Sequence, residues 1–383
     1  MTGVLRLLVV TGSRADFGLW LPILDEAQRS PALEARLLVT AMHLDARFGA
    51  TVEEVRRSGH VIAAEVACTP GGDTRAEMAG AIGQAVIGMA PVLHAERPDW
   101  LLVLGDRGEQ LAAGIAALHA GVAVAHLHGG EVTRGAVDDT VRDLVSRIAH
   151  LHLAATEHAA RRLEAIGEEG WRIHLVGAPG LDRLRLEAAG DLAALRERHG
   201  LPPDGAYLLV IQHPETVGEE HGADELGTTL RAVRSAGLPA LVVYPNADAG
   251  GRAMLERLAD EPGIRAVPSL PRSDYATLLA GAAALLGNSS SGIIEAPLLG
   301  VPAVNVGTRQ AGRTRGDNVI DVPADAGAIA AAIRRATDPA FRAALSRTSP
   351  YGTGDAAPRI LDLLQKTPRD ARLLVKRAPG SAG

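Results

Sequence analysis

Short apolar runs alternate with longer amphipathic segments along most of this chain, and nothing else in it narrows the possible folds as much. A first series of strand-like runs comprises Leu5–Val10, Ala35–Thr40, Trp100–Leu104, Val122–Leu127, His152–Ala155 and Ile173–Val176. A second follows at Tyr207–Ile211, Ala240–Tyr244, Ile264–Val267, Ala283–Leu286 and Ala303–Val306. Helical periodicity fills the gaps. Across Val141–Leu151, the residues Val141, Leu144, Val145, Ile148 and Leu151 recur at a spacing that predicts one apolar helix face. Such alternation predicts βαβ units and parallel sheets with helices on both faces. The charged stretch Arg183–Gly205, closed by the Gly- and Pro-rich His199–Gly205, is the expected linker. The chain is read as α/β, with two doubly wound Rossmann-like domains, 1–180 and 205–350, facing a central cleft. A helix at 351–365 is expected to pack back on the first domain, and the tail 366–383 to fray. Ligands of such sheets bind beyond the carboxyl ends of the strands, and every motif below follows a predicted strand.

Composition removes several classes of function. At 383 residues and 47% hydrophobic, the chain has ample material for about two packed domains. A net charge of −6 without a basic stripe gives no footprint for nucleic acid. The longest apolar stretches, such as Val4–Val10 and Trp100–Gly105, are strand-sized, so no membrane span is expected. The N-terminus runs into a strand without a small-residue cleavage site, so no signal peptide is expected and the cytoplasm is the expected location. Cys68 is the sole cysteine, which removes disulfide frameworks and Cys-based zinc sites. The only lysines are Lys366 and Lys376, both in the predicted tail. Schiff-base chemistry, pyridoxal-phosphate attachment and a P-loop each need a lysine within the fold.

The remaining chemistry lies in five segments. Thr11–Gly18 (TGSRADFG) places Arg14 and backbone N–H groups at a helix start, where anions bind, against the alternative of an ordinary βα turn. It is not the dinucleotide G-x-G-x-x-G pattern. In Leu104–Glu109, Asp106 follows a buried strand, where desolvation raises a carboxyl pKa; an Asp–Arg pair or a helix cap is the plainer reading. The cluster His126–Asp139 holds His126 and His128, which share a face if the strand period continues, and the carboxylates Glu131, Asp138 and Asp139. Asp138 and Asp139 also suit an N-cap, and an H-x-H pair alone is a weak zinc signal. His213, in Gln212–Glu215, suits proton transfer near neutral pH. Finally, Gly287–Pro297 brings Ser289, Ser290 and Ser291 to a helix start, suited to a diphosphate. Glu295 there stands four residues after Ser291, one too many for a capping box, and is read as an acceptor for a ribose diol. Arg309, Arg313 and Arg315 add cationic partners.

Taken together and in order, these motifs resemble those of the hydrolysing UDP-N-acetylglucosamine 2-epimerases, bacterial enzymes with a glycosyltransferase-B-like fold. The matching stretches are TGSRADFG, GDRGEQLAA, AHLHGGEVTRGAVDDTVRDL, QHPE and GNSSSGIIEAPLLGVPAVNVGTRQAGR, which run from residue 11 to about 313. The resemblance implies a UDP-sugar substrate, UDP-GlcNAc, with UDP and free N-acetylmannosamine as products. It implies Asp106, Glu131, Asp138 and His213 as acid/base groups. It implies Arg14, His43, His128, Ser289, Ser290, Ser291, Glu295, Arg309 and Arg313 as substrate ligands, no cofactor or metal, and a homo-oligomer, dimer or tetramer. Sialic-acid members often carry Glu where this chain has His128. A His there resembles relatives acting on UDP-2,4-diacetamido-2,4,6-trideoxyglucose in legionaminic-acid synthesis. A non-hydrolysing epimerase, a glycosyltransferase on the same scaffold, a non-catalytic nucleotide-sugar sensor and a metal hydrolase are the competing readings.

Overall fold

The computed structural model describes residues 3–49, 51–71, 74–132, 137–213, 222–244, 254, 258, 264–268 and 270–376. The chain divides into two compact units. The first comprises Met1–Glu131, Asp138–Asp182 and Gly354–Gly383; the second comprises Val132–Val137 and Arg183–Thr353.

Among the described residues, the first unit is built on seven parallel strands: β1 (Leu5–Thr11), β2 (Leu33–Thr40), β3 (Ile62–Val66), β4 (Trp100–Leu104), β5 (Ala123–Leu127), β6 (Leu151–Ala154) and β7 (Ile173–Leu175). Their order in the sheet is β3-β2-β1-β4-β5-β6-β7, so the direction of winding reverses between β1 and β4. Helices α1 (Arg14–Gln28), α2 (Val52–Arg57), α3 (Arg75–Glu96), α4 (Gly108–Ala120), α5 (Asp138–Ile148) and α6 (Glu157–Ala165) connect successive strands. Because strand side chains alternate, Leu7, Val9, Trp100 and Leu102 pack beneath α1, while Leu8, Val10, Leu101 and Val103 pack beneath α3 and α4. Both faces of the central strands are therefore apolar.

The second unit repeats the plan. After α7 (Leu184–Glu187) and α8 (Leu192–Arg198) come β8 (Leu208–Ile211), α9 (Gly222–Ala236), β9 (Ala240–Val243), β10 (Arg265–Val267), α10 (Arg272–Gly281) and β11 (Ala284–Gly287). Then follow α11 (Ser291–Ile294), α12 (Ala296–Leu299), β12 (Ala303–Val306), β13 (Val319–Val322), α13 (Ala326–Thr337) and α14 (Pro339–Ala343). The sheet order is β10-β9-β8-β11-β12-β13, with the reversal between β8 and β11. Every strand pair in both sheets is parallel.

Four sequence expectations change. The stretch Arg183–Gly205 is not a free linker: it folds as α7 and α8 on the second unit, where Leu184 and Leu195 are buried. Apolar stretches are not all strand-sized: among the described residues α3 is long and apolar enough over Ala76–Glu96 to cross a membrane, although its inward residues Ala85, Met89 and Leu93 lie in the core. The α5 helix stops at Ile148, and the face it buries is Arg142, Val145 and Ser146, with Leu144 exposed. The tail, finally, is held as far as Lys376. α15 (Ala356–Lys366) packs against α1, and the Trp100 indole N–H donates to the Leu364 carbonyl at 3.2 Å. After it α16 (Ala371–Leu374) buries Leu373, so one of the two lysines does lie inside the fold. Residues 377–383 lie outside the described residues.

Ile360, on the buried face of α15, is completely enclosed by the first core. Ile360→Ala is expected to lower unfolding stability by about 2–5 kcal/mol through lost apolar burial and the cavity left behind. A urea titration showing a change under about 0.5 kcal/mol would contradict the docking of α15.

Candidate functional site

The winding reversals are where each sheet leaves a crevice beyond its strand ends, and the polar residues of each unit gather there. In the first unit, Gly12 and Ser13 follow β1, and Gly105 and Asp106 follow β4, its neighbour. Ser13 caps α1 by accepting from the Asp16 N–H at 3.3 Å, and the Gly12 N–H donates to Asp16 Oδ2 at 3.2 Å. A side chain at Gly12 would collide with the Glu109 carboxylate, so glycine lets this loop close against α4. Arg14 opens α1 and donates from Nε to Glu54 Oε2 at 2.5 Å. Asp16 is buried, and that burial pushes its carboxyl up to about 6, with Glu109 adding to the shift and Arg107 opposing it.

Asp106 sits against a cation rather than an apolar wall. Arg142, on the inward face of α5 and 1% exposed, donates to Asp106 Oδ2, to Asp139 Oδ1 at 2.6 Å and to the Glu131 carbonyl at 2.8 Å. A guanidinium buried this deeply requires charged partners, and its fork geometry ties together the β4 loop, the β5 loop and α5. Glu131 is buried, whereas Asp138 and Asp139 begin α5 half-buried. Arg142 was not singled out from the sequence, although it stands four residues after Asp138 and three after Asp139, within one helix face of both.

The three histidines separate into distinct roles. β5 ends at Leu127 and His128 takes a left-handed backbone (φ +58°), so His126 and His128 do not continue one strand face. His126 is fully buried, with Nε2 on the Gly105 carbonyl (2.7 Å) and Nδ1 on the Ser146 hydroxyl (3.1 Å). Burial lowers its pKa to about 3, so it stays neutral. His43 is also enclosed, bonding Thr11 Oγ1 at 3.0 Å and Thr51 Oγ1 at 2.7 Å; burial takes it to about 4. These two bonds tie it to the end of β1 and to Thr51. Among the described residues no group of three His, Cys, Asp or Glu side chains is placed to hold a metal ion.

In the second unit, His213 follows β8 and Asn288 follows the adjacent β11. The His213 N–H donates to Asn288 Oδ1 at 2.7 Å, and Asn288 Nδ2 donates to the His213 carbonyl at 2.9 Å, so the two loop starts are locked together. Pro214 and Glu215 lie outside the described residues. Gly287 (φ +126°) passes against the Ile211 carbonyl where no side chain fits. Ser289 and Ser290 are half-buried; Ser291 is buried and donates to Glu295. The other Glu295 oxygen accepts from Arg272, whose Nε donates to Glu187 at 3.0 Å. Glu295 therefore reaches this loop already engaged, not as the free acceptor its spacing from Ser291 suggested. Arg309 donates to the Asn288 carbonyl at 3.3 Å, and Arg313 to the Val132 carbonyl at 2.8 Å. Arg315 pairs with Asp321 at 2.9 Å. Asn288 and Arg272 were missed because neither belongs to a spacing pattern; only the fold brings them to their partners.

Two doubly wound units, with carboxylates at one reversal and a serine-rich loop at the other, give the chain a glycosyltransferase-B-like fold. A sequence model of the UDP-N-acetylglucosamine 2-epimerase family matches residues 25–365, and the chain belongs to that family. It is 37% identical, over 97% of this chain and 98% of the relative, to the "UDP-N,N'-diacetylbacillosamine 2-epimerase (hydrolyzing)" of Legionella pneumophila. It is 33% identical, over 90% of this chain and 92% of the relative, to the UDP-N-acetylglucosamine 2-epimerase of Neisseria meningitidis. Structurally it superposes on the UDP-GlcNAc 2-epimerase from Neisseria meningitidis bound to UDP-GlcNAc. The TM-score is 0.80, the superposition covers 95% of this chain and 100% of that one, and the structural alignment is 17% identical.

The buried Asp16 makes a pH-dependent prediction. Its folded pKa, about 6, exceeds the ordinary aspartate value of 3.8, so the folded state holds this proton more tightly. Its contribution to stability is then greatest below pH 4, falls as pH rises to about 6, and above that is a penalty of roughly 3 kcal/mol at most. Asp16→Asn keeps an oxygen for the Gly12 N–H and is expected to exceed wild type in stability at pH 7.5 by about 1–3 kcal/mol. That advantage should vanish near pH 4. Urea titrations giving the same difference at both pH values would contradict the assignment.

Proposed function

We propose that this protein is a hydrolysing UDP-sugar 2-epimerase, converting a UDP-2-acetamido sugar and water to UDP and the free sugar inverted at C2. The observation that supports this best is the division of chemistry between the two winding reversals. In the first unit the Asp106 and Asp139 carboxylates and the Glu131 carbonyl hold one buried guanidinium, on the helix that Asp138 opens. The second unit offers His213, Ser289, Ser290 and the Arg272–Glu295 pair. The first set and His213 supply proton transfers, and the rest of the second set a grip on the leaving nucleotide.

In this reading a carboxylate of the Asp106 group removes the C2 proton while the C1–O bond to UDP breaks, which leaves an enol-ether-like glycal. Water then adds at C1 and a proton returns to C2 from the opposite face, so the products are UDP and the 2-epimeric free sugar. Removal and return on opposite faces require two different groups. Departure of UDP requires cationic or N–H support, for which Arg14, Arg309, Arg313 and the loop after β11 are assigned. Each step uses acid, base and electrostatic groups that this chain contains.

The sugar assigned is UDP-2,4-diacetamido-2,4,6-trideoxyglucose, that is, UDP-N,N'-diacetylbacillosamine. Two observations favour it over UDP-GlcNAc: His128 in place of the Glu common to sialic-acid members, and the greater identity to the relative of that name. Incubation with each UDP-sugar, followed by NMR of released sugar, is expected to show faster release from the diacetamido substrate. Equal or faster release from UDP-GlcNAc overturns the sugar assignment, and an epimer still attached to UDP overturns hydrolysis.

Asp106→Asn keeps an acceptor for Arg142, which retains Asp139, and is expected to lower stability without unfolding the chain, preserving UDP binding while reducing turnover by a factor of about 10² or more. Turnover within tenfold of wild type would remove Asp106 from the proton transfers. Glu295→Gln should weaken UDP binding by about 1.5–3 kcal/mol if its charge serves the ribose, directly or through the loop. Calorimetry showing unchanged affinity would exclude that role.

A further inference from the structure

The first unit contains a buried ionic cluster that the reaction does not use. Lys376 brings its ammonium to the carboxyl end of α5, where it donates to the carbonyls of Ser146 (3.1 Å), Arg147 (2.9 Å) and Ala149 (2.7 Å). These carbonyls are among those a helix end leaves without partners, and a cation there also meets the negative end of the helix dipole. The charge is balanced by Glu168, whose fully buried side chain lies 2.6 Å from Nζ and also engages Arg147 and His152 Nε2 (2.8 Å).

The segment that carries Lys376 is held as firmly as the lysine. Asp370 caps α16 through the Leu373 N–H at 3.1 Å. The completely buried Arg172 donates to the carbonyls of Leu373 (2.7 Å), Arg372 (3.0 Å) and Val375 (3.2 Å), and to that of His150 (3.0 Å). Residues 370–376 thus form a strap across the end of α5.

From this anchor a continuous set of bonds leads to Asp106. Lys376 holds the Ser146 carbonyl; the Ser146 hydroxyl meets His126 Nδ1 at 3.1 Å; His126 Nε2 meets the carbonyl of Gly105 at 2.7 Å. Gly105 has a left-handed backbone (φ +70°) and immediately precedes Asp106. One turn earlier on α5, Arg142 grips the Asp106 carboxylate itself. The helix therefore holds Asp106 at two points, through its side chain and through the peptide before it, and Lys376 fixes the far end of that helix.

We propose that Lys376 is a positioning residue for Asp106, acting from the C-terminal strap through Ser146, His126 and the Gly105 carbonyl. The proposal rests on the reading that Asp106 takes part in proton transfer. It gives the buried, neutral His126 a function as a spacer between helix and loop. It also gives a function to one of the chain's two lysines, held half-buried against the end of α5.

Three variants of the full-length chain test this: Lys376→Met, which keeps length and loses charge; Lys376→Arg, which restores a cation; and Ser146→Ala, which breaks the relay without touching the strap. Nitrogen-15 correlation spectra of the imidazole rings report the hydrogen bonds of His126 independently of activity. For Lys376→Met and Ser146→Ala we expect shifted His126 signals and a fall in kcat of tenfold or more. KM and UDP affinity should stay within twofold of wild type, and Lys376→Arg should recover most of kcat. Unchanged His126 signals in both variants overturn the proposal. So does shifted His126 with wild-type kcat, and so does a parallel loss of kcat and UDP affinity that Lys376→Arg leaves uncorrected. Should Lys376→Met fail to fold, Ser146→Ala decides by the same criteria. Failure of the underlying reading is separately visible as full turnover by Asp106→Asn, and it takes this proposal with it.

Discussion

A parallel sheet buried on both faces has only its strand ends on which to present polar groups, and this constraint organises both units. Strands such as β4 and β8 are apolar throughout because helices cover each side. Backbone and side-chain polarity is consequently displaced into the loops that follow. Where the winding reverses, between β1 and β4 and again between β8 and β11, neighbouring loops diverge toward opposite faces. The same strand order in the two sheets thus yields two crevices from one folding rule, and the different sequences of their loops give them different chemistry.

Within the first crevice the costly element is Arg142. Burying a guanidinium carries a desolvation penalty of several kcal/mol, and losing one of its partners would strand charge in the interior, at about 3–5 kcal/mol. The arrangement offsets this with two carboxylates and a backbone carbonyl drawn from separate elements. Its value is geometric, because a planar fork fixes both the distance and the orientation of what it holds. The second crevice relies on neutral reciprocity instead: the Asn288 amide both accepts from and donates to the backbone of His213.

Much of this was legible in the sequence, and the exceptions have physical causes. Strands buried on both faces announce themselves as continuous apolar runs, so β4 and β12 match their expected limits. The edge strands β3 and β13 escaped notice because half-exposed positions admit Ala, Glu and Asp, which dilutes the pattern. The helix α5 was recognised but turned the wrong way: its apolar periodicity ranked Leu144 above Arg142, yet a paired arginine and a bonded serine are what it buries. Periodicity counts hydrophobicity, and it has no means of anticipating an ion pair with a residue thirty-six positions away. The strap through Lys376 was misjudged for the same reason: its partners are distant in sequence, and tail composition resembled that of a frayed end. Asp106, Glu131, Asp138, His213 and the serine loop were singled out from their places after strands, and those places after strands are what the fold shows.

The central claim is that a UDP-sugar loses its C2 proton and its nucleotide, takes up water, and regains a solvent-derived proton on the other face. Turnover in D₂O, followed by NMR of the released sugar, tests this most directly. The account predicts free 2-epimeric sugar fully deuterated at C2, because the group that returns the proton is not the group that removed it and has exchanged with solvent. Free sugar that keeps its original C2 hydrogen would contradict it.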